Sequence, residues 1–205
     1  MQTIDNFFAG VSTYLIQQVK EWAEIVVNFE TKNKYKILNT EQQQVGFMAE
    51  KKQGFFGMLL RQVLRSHRRL EVVVYNDQKE VVMTLMRKFF FFFSHLTVLD
   101  KNGLLVGSVA RRFGILYKKY DLCDTRGKTF ATIKSPFWRL WKFPLQDSLG
   151  NEIGVIQKNW GGLLKEVFTD ADRYQVNFPD WDNAKKAIMF AAAISIDFDF
   201  FEDNQ

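Results

Sequence analysis

The chain has 205 residues, a formal net charge of +5 and 47% hydrophobic residues, which favours one sizeable globular domain. Its single cysteine, Cys123, excludes an internal disulfide framework, a cysteine zinc site and a cysteine cluster for multiple acylation, and two histidines, His67 and His95, argue against a histidine metal cage. The modest positive charge permits attraction to anionic lipid or nucleic acid without demanding either.

The N-terminal "MQTIDNFFAG" has neither a basic region nor a continuous apolar stretch, so no secretory signal is expected. The expected compartment is the cytoplasm or a membrane face exposed to it. Over residues 4 to 27, Ile4, Phe8, Val11, Leu15, Val19, Trp22 and Val26 recur at three- and four-residue steps. That spacing predicts an amphipathic helix filling the first 30 residues, ahead of a domain from 31 to 205. Only Lys20 gives its polar face a positive charge. Packing on the domain, or self-association with a second copy, is therefore at least as good a role as lying in a membrane interface.

Residues 35 to 52, "YKILNTEQQQVGFMAEKK", read as a β-hairpin. The following "GFFGMLLRQVLRSHRRL" sets apolar residues beside Arg61, Arg65, Arg68 and Arg69. Basic and apolar together suit an anionic membrane surface, and a solvated basic loop is the even alternative. No recognised nucleic-acid motif surrounds "RSHRRL", so nucleic acid is not an expected partner.

From residue 70 the chain falls into four similar units. Each is an apolar run, a polar turn around an Asp, and a second run ending in basic residues. Asp77, Asp100, Asp124 and Asp147 hold the same place, about every 23 residues. "DKNG", "DTRG" and "DSLGN" supply residues tolerant of positive φ, as hairpin turns require. Consecutive antiparallel hairpins predict a sandwich or closed barrel. Phe89 to Phe93 interrupt the alternation. A strand buried on both faces, or one crossing at a bend, is favoured over an exposed aromatic patch that enters a bilayer. Arg111, Arg112, Lys118, Lys119, Lys134, Arg139 and Lys142 fall near predicted strand ends and are candidates for lipid headgroups; Trp138, Trp141 and Trp160 are candidates for an interface.

The last segment, "AKKAIMFAAAISIDFDFFEDNQ", is uninterruptedly apolar only from Ala187 to Ile196. At ~1.5 Å per residue this covers about 15 Å of a hydrocarbon core that is ~30 Å thick. Asp197 and Asp199, two residues apart, would point in nearly opposite directions, so one interface cannot shelter both. A helix apolar all round belongs inside something. A slim core helix over residues 183 to 201, capped by Asp180 or Asp182, is expected to fill the barrel.

"SPFWRLWKFPLQDSLGNEIGVIQKNWGGLLKEVFTDADRYQVNFP", followed by "KKAIMFAAAISIDFDFFE", resembles the phospholipid scramblase family. The second half of the chain matches closely and the earlier hairpins more loosely. The resemblance implies a mainly β, Tubby-like antiparallel barrel of about twelve strands around a hydrophobic C-terminal helix. It also implies calcium-activated, ATP-independent movement of phospholipids between leaflets. From the residues themselves, the expected partner is an anionic membrane surface on the cytoplasmic side, with peripheral attachment favoured over a single-pass span because the C-terminal run is short and acidic. The calcium loop that the resemblance implies would begin at "DADRYQVNFPDWD", with Asp170 and Asp172 at its first and third positions and Asp180 or Asp182 near its end. A true EF-hand loop wants a Gly at the sixth position and a Glu at the twelfth; here the sixth is Gln175. A turn in which the Asp side chains bond nearby backbone N–H groups stays open beside the calcium reading. The palmitoylated cysteine cluster and proline-rich region typical of animal members have no counterpart, with one cysteine and three prolines in the chain. No nucleophile–base set and no phosphate-cradling Gly loop can be nominated, so enzymatic chemistry is not expected. A lipid-docking module without scrambling is the other reading.

Overall fold

A computed structural model describes residues 2–19, 34–51, 67, 69–159 and 173–201. A short helix α1 (Gln2–Phe8) leads into twelve strands. These are β1 (Thr13–Gln18), β2 (Lys34–Leu38), β3 (Gln44–Glu50), β4 (Leu70–Asn76), β5 (Val81–Arg87), β6 (His95–Asp100), β7 (Leu105–Arg112), β8 (Tyr117–Cys123), β9 (Thr129–Pro136), β10 (Lys142–Gln146), β11 (Glu152–Asn159) and β12 (Arg173–Asn177). Helix α2 (Asn183–Phe200) closes the order. Every strand pairs antiparallel with its neighbours in sequence, and β1 also pairs with β12, so the sheet is a closed barrel. Closure leaves no strand edge to aggregate.

Side chains alone fill a barrel of about eight strands, and twelve leave a wider lumen. Helix α2 occupies it. Every residue from Lys186 to Phe198 is buried, whichever way it faces. Ala187 and Ala191 to Ala193 keep the helix slim, and its walls are the inward residues of the strands, such as Val72, Leu85, Val98, Leu122 and Val176. At Gly107 the β7 backbone comes so close that an added Cβ would lie 2.4 Å from Ile188 Cδ1. Helix α1 packs on the N-terminal end of α2: Phe8 meets Phe190 and Phe178 edge-on at 6.0 and 5.8 Å. Lys186 Nζ donates to the Val11 carbonyl at 2.8 Å. Asp182 accepts from Lys185 N at 2.9 Å and caps α2, as one of the two expected caps.

Three sequence expectations need correction. The amphipathic helix is real only as far as Phe8. Gly10 turns the chain with φ +66°, and Thr13–Gln18 is a strand that closes the barrel, with Tyr14 and Ile16 facing in. The three- and four-residue stripe coincided with a β-prone run whose partners, β2 and β12, decide its conformation. Trp22 and Val26 lie outside the described residues.

The second correction concerns the turns. Five hairpins share one device: the side-chain oxygen of a single residue accepts the backbone N–H groups two and four positions on, except that only the latter bond is seen at the second. The residues are Asn39, Asn76, Asp100, Asp124 and Asp147. The residue three positions after each has positive φ: Gln42, Lys79, Gly103, Gly127 and Gly150. Asn76, not Asp77, therefore belongs to the series, and the first two turns manage without a glycine, with Gln42 and Lys79 at the positive-φ position. Asn and Asp share the same acceptor oxygen, so a pattern sought as Asp alone was out by one position.

Third, the five phenylalanines are not buried in a strand. They form the β5–β6 connection, and Phe91 and Phe92 are 77% and 82% exposed. Neither form of the favoured expectation, a strand buried on both faces or a strand crossing at a bend, holds: residues 88–94 lie between strands, and four of the five rings are exposed.

Candidate functional site

The tight Asn/Asp turns all lie at one end of the barrel, because each follows an even-numbered strand of an antiparallel sheet. The described connections after odd-numbered strands lie at the other end. They are residues 88–94, 113–116 and 137–141, "KFFFFFS", "FGIL" and "FWRLW". They contain no acidic residue. The three are joined. Arg111 N donates to the Ser94 carbonyl at 2.9 Å and Phe137 N to the Leu116 carbonyl at 3.1 Å. The Phe93 and Phe113 rings meet edge-on at 6.3 Å.

Beneath this end lies the last turn of α2, with two carboxylates in the interior. Asp199 accepts from Arg87 Nη1 at 2.8 Å, Ser94 Oγ at 2.7 Å and Tyr120 Oη at 2.8 Å. Asp197 accepts from Tyr35 Oη at 2.5 Å and Tyr174 Oη at 2.7 Å, with Lys158 Nζ 3.7 Å away. The ~200° separation of residues i and i+2 on a helix sends one carboxylate to β5–β8 and the other to β2, β11 and β12. Burial, reinforced by the Asp199 charge, pushes the Tyr120 hydroxyl well above its ordinary value and keeps it a donor. The acids that argued against a membrane span are thus the pegs that fix the depth and rotation of α2.

The β9–β10 seam is held differently from the others. Only Leu145 and Gln146 pair with β9, and Pro144 has no N–H to offer. Toward the aromatic end, Ser135 Oγ donates to the Lys142 carbonyl at 2.8 Å and Lys118 Nζ to the Arg139 carbonyl at 3.0 Å. Lys118 also lies 5.2 Å from the Phe143 ring and 5.1 Å from Phe200. Burial pushes its ammonium down to about 8.

The predicted headgroup ligands therefore divide. Lys118 is buried and holds the 137–141 loop instead of facing solvent. Arg111 leans inward over Phe200, with its guanidinium 4.8 Å from the ring and 4.0 Å from Asp199. Arg112 is exposed and pairs with Asp121 at 2.7 Å, Lys119 is half-buried, and Arg69 is exposed just before β4. Arg61, Arg65 and Arg68 lie outside the described residues, as do Asp170, Asp172 and Trp160. Asp180 is exposed. Although burial opposes it, the Lys185 side chain and N–H hold the Asp182 carboxyl below its ordinary range. Among the described residues no three His, Cys, Asp or Glu side chains gather to hold a metal. Sequence reasoning missed Phe113, Ile115 and Leu116. The signal was present in three acid-free, aromatic connections on alternate loops.

A twelve-stranded antiparallel barrel threaded by an apolar helix, with a basic and aromatic end, is the class that the fold and site define. The family profile of the scramblases, "Scramblase", matches residues 3–203, and the chain belongs to the scramblase family. Altered inheritance rate of mitochondria protein 25 of Saccharomyces cerevisiae is 27% identical, over 92% of this chain and 70% of its own length. A phospholipid scramblase family protein of Schizosaccharomyces pombe is 24% identical, over 91% and 58%. Phospholipid scramblase 1 of Mus musculus is 29% identical, over 96% and 63%; the chain thus spans well under the full length of these relatives. A crystal structure of an Arabidopsis thaliana protein superimposes with a TM-score of 0.51 at 13% identity, covering 96% of both chains, and bears out the fold alone.

Proposed function

We propose that the chain handles phospholipids from the surface of a membrane, on its cytoplasmic side, and moves them between leaflets without ATP. Family membership supports the substrate class. The observation that carries the surface mode is the position of α2. Its ten-residue apolar run faces the barrel wall, and its two terminal carboxylates are bonded there. No described helix is long and apolar enough to cross a membrane. Transbilayer movement forms no covalent bond, so it needs no nucleophile or base; it needs a perturbed bilayer that lowers the barrier to a headgroup.

The same observation favours a second reading, a peripheral module that binds anionic lipid without scrambling it, because a helix kept in the lumen cannot line a path. Reconstitution separates the two. Vesicles carrying a fluorescent phospholipid in both leaflets are treated with an impermeant reductant. Loss of signal from both leaflets supports scrambling; loss from the outer leaflet alone leaves the binding module. Calcium enters this reading through Asp170 and Asp172, with Asp180 or Asp182 near the end of the loop. The Asp170→Asn/Asp172→Asn variant should abolish a calcium-dependent lipid effect, and an unchanged calcium response would remove the loop from the account.

A further inference from the structure

We infer that the barrel end formed by residues 88–94, 113–116 and 137–141 is the face that enters the bilayer, with an anionic phospholipid monolayer as its occupant. The inference rests on the surface reading above and assigns it a place on the molecule. Phe91, Phe92, Phe113, Ile115 and Trp138 are 77, 82, 70, 79 and 67% exposed, and Trp141 is 56% exposed. A fully exposed aromatic side chain offers about 150–250 Å². The first five alone therefore present roughly 700 Å², above the ~300–600 Å² of the largest patch on an ordinary monomer.

Composition selects the occupant. Tryptophan and phenylalanine at the tips, with cations set back from them, is the arrangement of a membrane–water interface. Lys88, Arg112 and Lys134 are exposed at the strand ends behind the tips, and Lys134 Nζ lies 4.6 Å from the Tyr117 ring. The three loops have no carboxylate to repel a phosphate. A protein partner would need a matching cavity and acidic rim, whereas a fluid monolayer needs only depth and negative charge. The backbone at this end is also secured. Arg111 N, Phe137 N and Lys118 Nζ each donate to a neighbouring loop's carbonyl, so little loop entropy is lost on insertion.

The test compares the full chain with Phe91→Ser/Phe92→Ser/Trp138→Ser, whose replaced side chains are exposed and whose melting temperature should match that of the parent. Binding is read by sedimentation with phosphatidylcholine vesicles with and without phosphatidylserine. Insertion is read by quenching of tryptophan emission with lipids brominated in the upper acyl chain. The expected result is binding that strengthens with phosphatidylserine, quenching in the parent, and binding about a hundredfold weaker in the variant. Lys88→Glu/Lys134→Glu should remove most of the phosphatidylserine dependence while retaining residual quenching. Equal binding by the parent and the triple variant would overturn this face and leave the surface reading standing. A parent chain that binds neither vesicle would overturn both. Concentration-dependent self-association, abolished by the triple variant and unaccompanied by lipid binding, would assign the patch to a second copy and overturn the inference.

Discussion

Replacing Asp199 by Leu should cost the fold about 3–5 kcal/mol, the usual penalty for leaving a buried charge without its partner. Arg87 and Asp199 side chains are both fully buried and 2.8 Å apart. Asp199 also accepts from Ser94 and Tyr120, so its loss takes the acceptor away from three donors at once. Against a typical domain stability of about 5–15 kcal/mol, this is a third or more of the total. The double variant Arg87→Met/Asp199→Leu should recover roughly 2 kcal/mol or more of that loss, because a buried pair replaced by apolar side chains of similar volume is often close to neutral. The assay is urea unfolding of the parent, both single variants and the double variant, followed by tryptophan emission. A single Asp199→Leu variant that loses less than about 1 kcal/mol would refute the claim that the carboxylate pegs the helix in the lumen.

The remaining predictions use the same measurement. Asn76→Ala should cost about 1 kcal/mol and Asp77→Ala close to nothing, because only Asn76 accepts the Glu80 N–H; the reverse order would restore the Asp-only repeat. Gly107→Ala should destabilise by about 1–3 kcal/mol through overpacking against Ile188 and the Cys123 carbonyl, and a neutral effect would mean that α2 does not approach β7 as described. Lys118 gives a pH signature. Its folded value is about 8 against an ordinary 10.5, so between those two values the unfolded chain binds more protons and stability rises with pH. The stability of the parent relative to Lys118→Met should therefore be constant below pH 8, climb between pH 8 and 10.5, and level off. A difference that falls across that window would contradict the burial of the ammonium.

Much of this molecule is written locally. Hairpins announce themselves through alternation and turn residues, and a ten-residue run flanked by acids declares a core helix because no other solvent suits it. The N-terminal strand was not legible. Thr13–Gln18 is a strand because β2 and β12 lie beside it, and those partners are distant in the chain, Leu15 facing Leu38 and Thr13 facing Asn177. The exposed phenylalanines misled for a related reason. Apolar residues are assigned inward by default, and only closure of the barrel shows that the β5–β6 connection has no wall left to pack against. Lys118 and Arg111 were chosen for their charge at strand ends, which is correct, but the inward or outward sense of a strand residue depends on register. The bulge at each turn shifts that register by one.

On the proposed reading, α2 stays inside the barrel when the protein meets a membrane. Sedimentation with phosphatidylserine-containing vesicles, followed by a high-pH carbonate wash, tests it most directly. The chain should pellet with the vesicles and be released by the wash. A chain that remains with the lipid after the wash would mean that the apolar run from Ala187 to Ile196 has left the lumen for the bilayer, against the account.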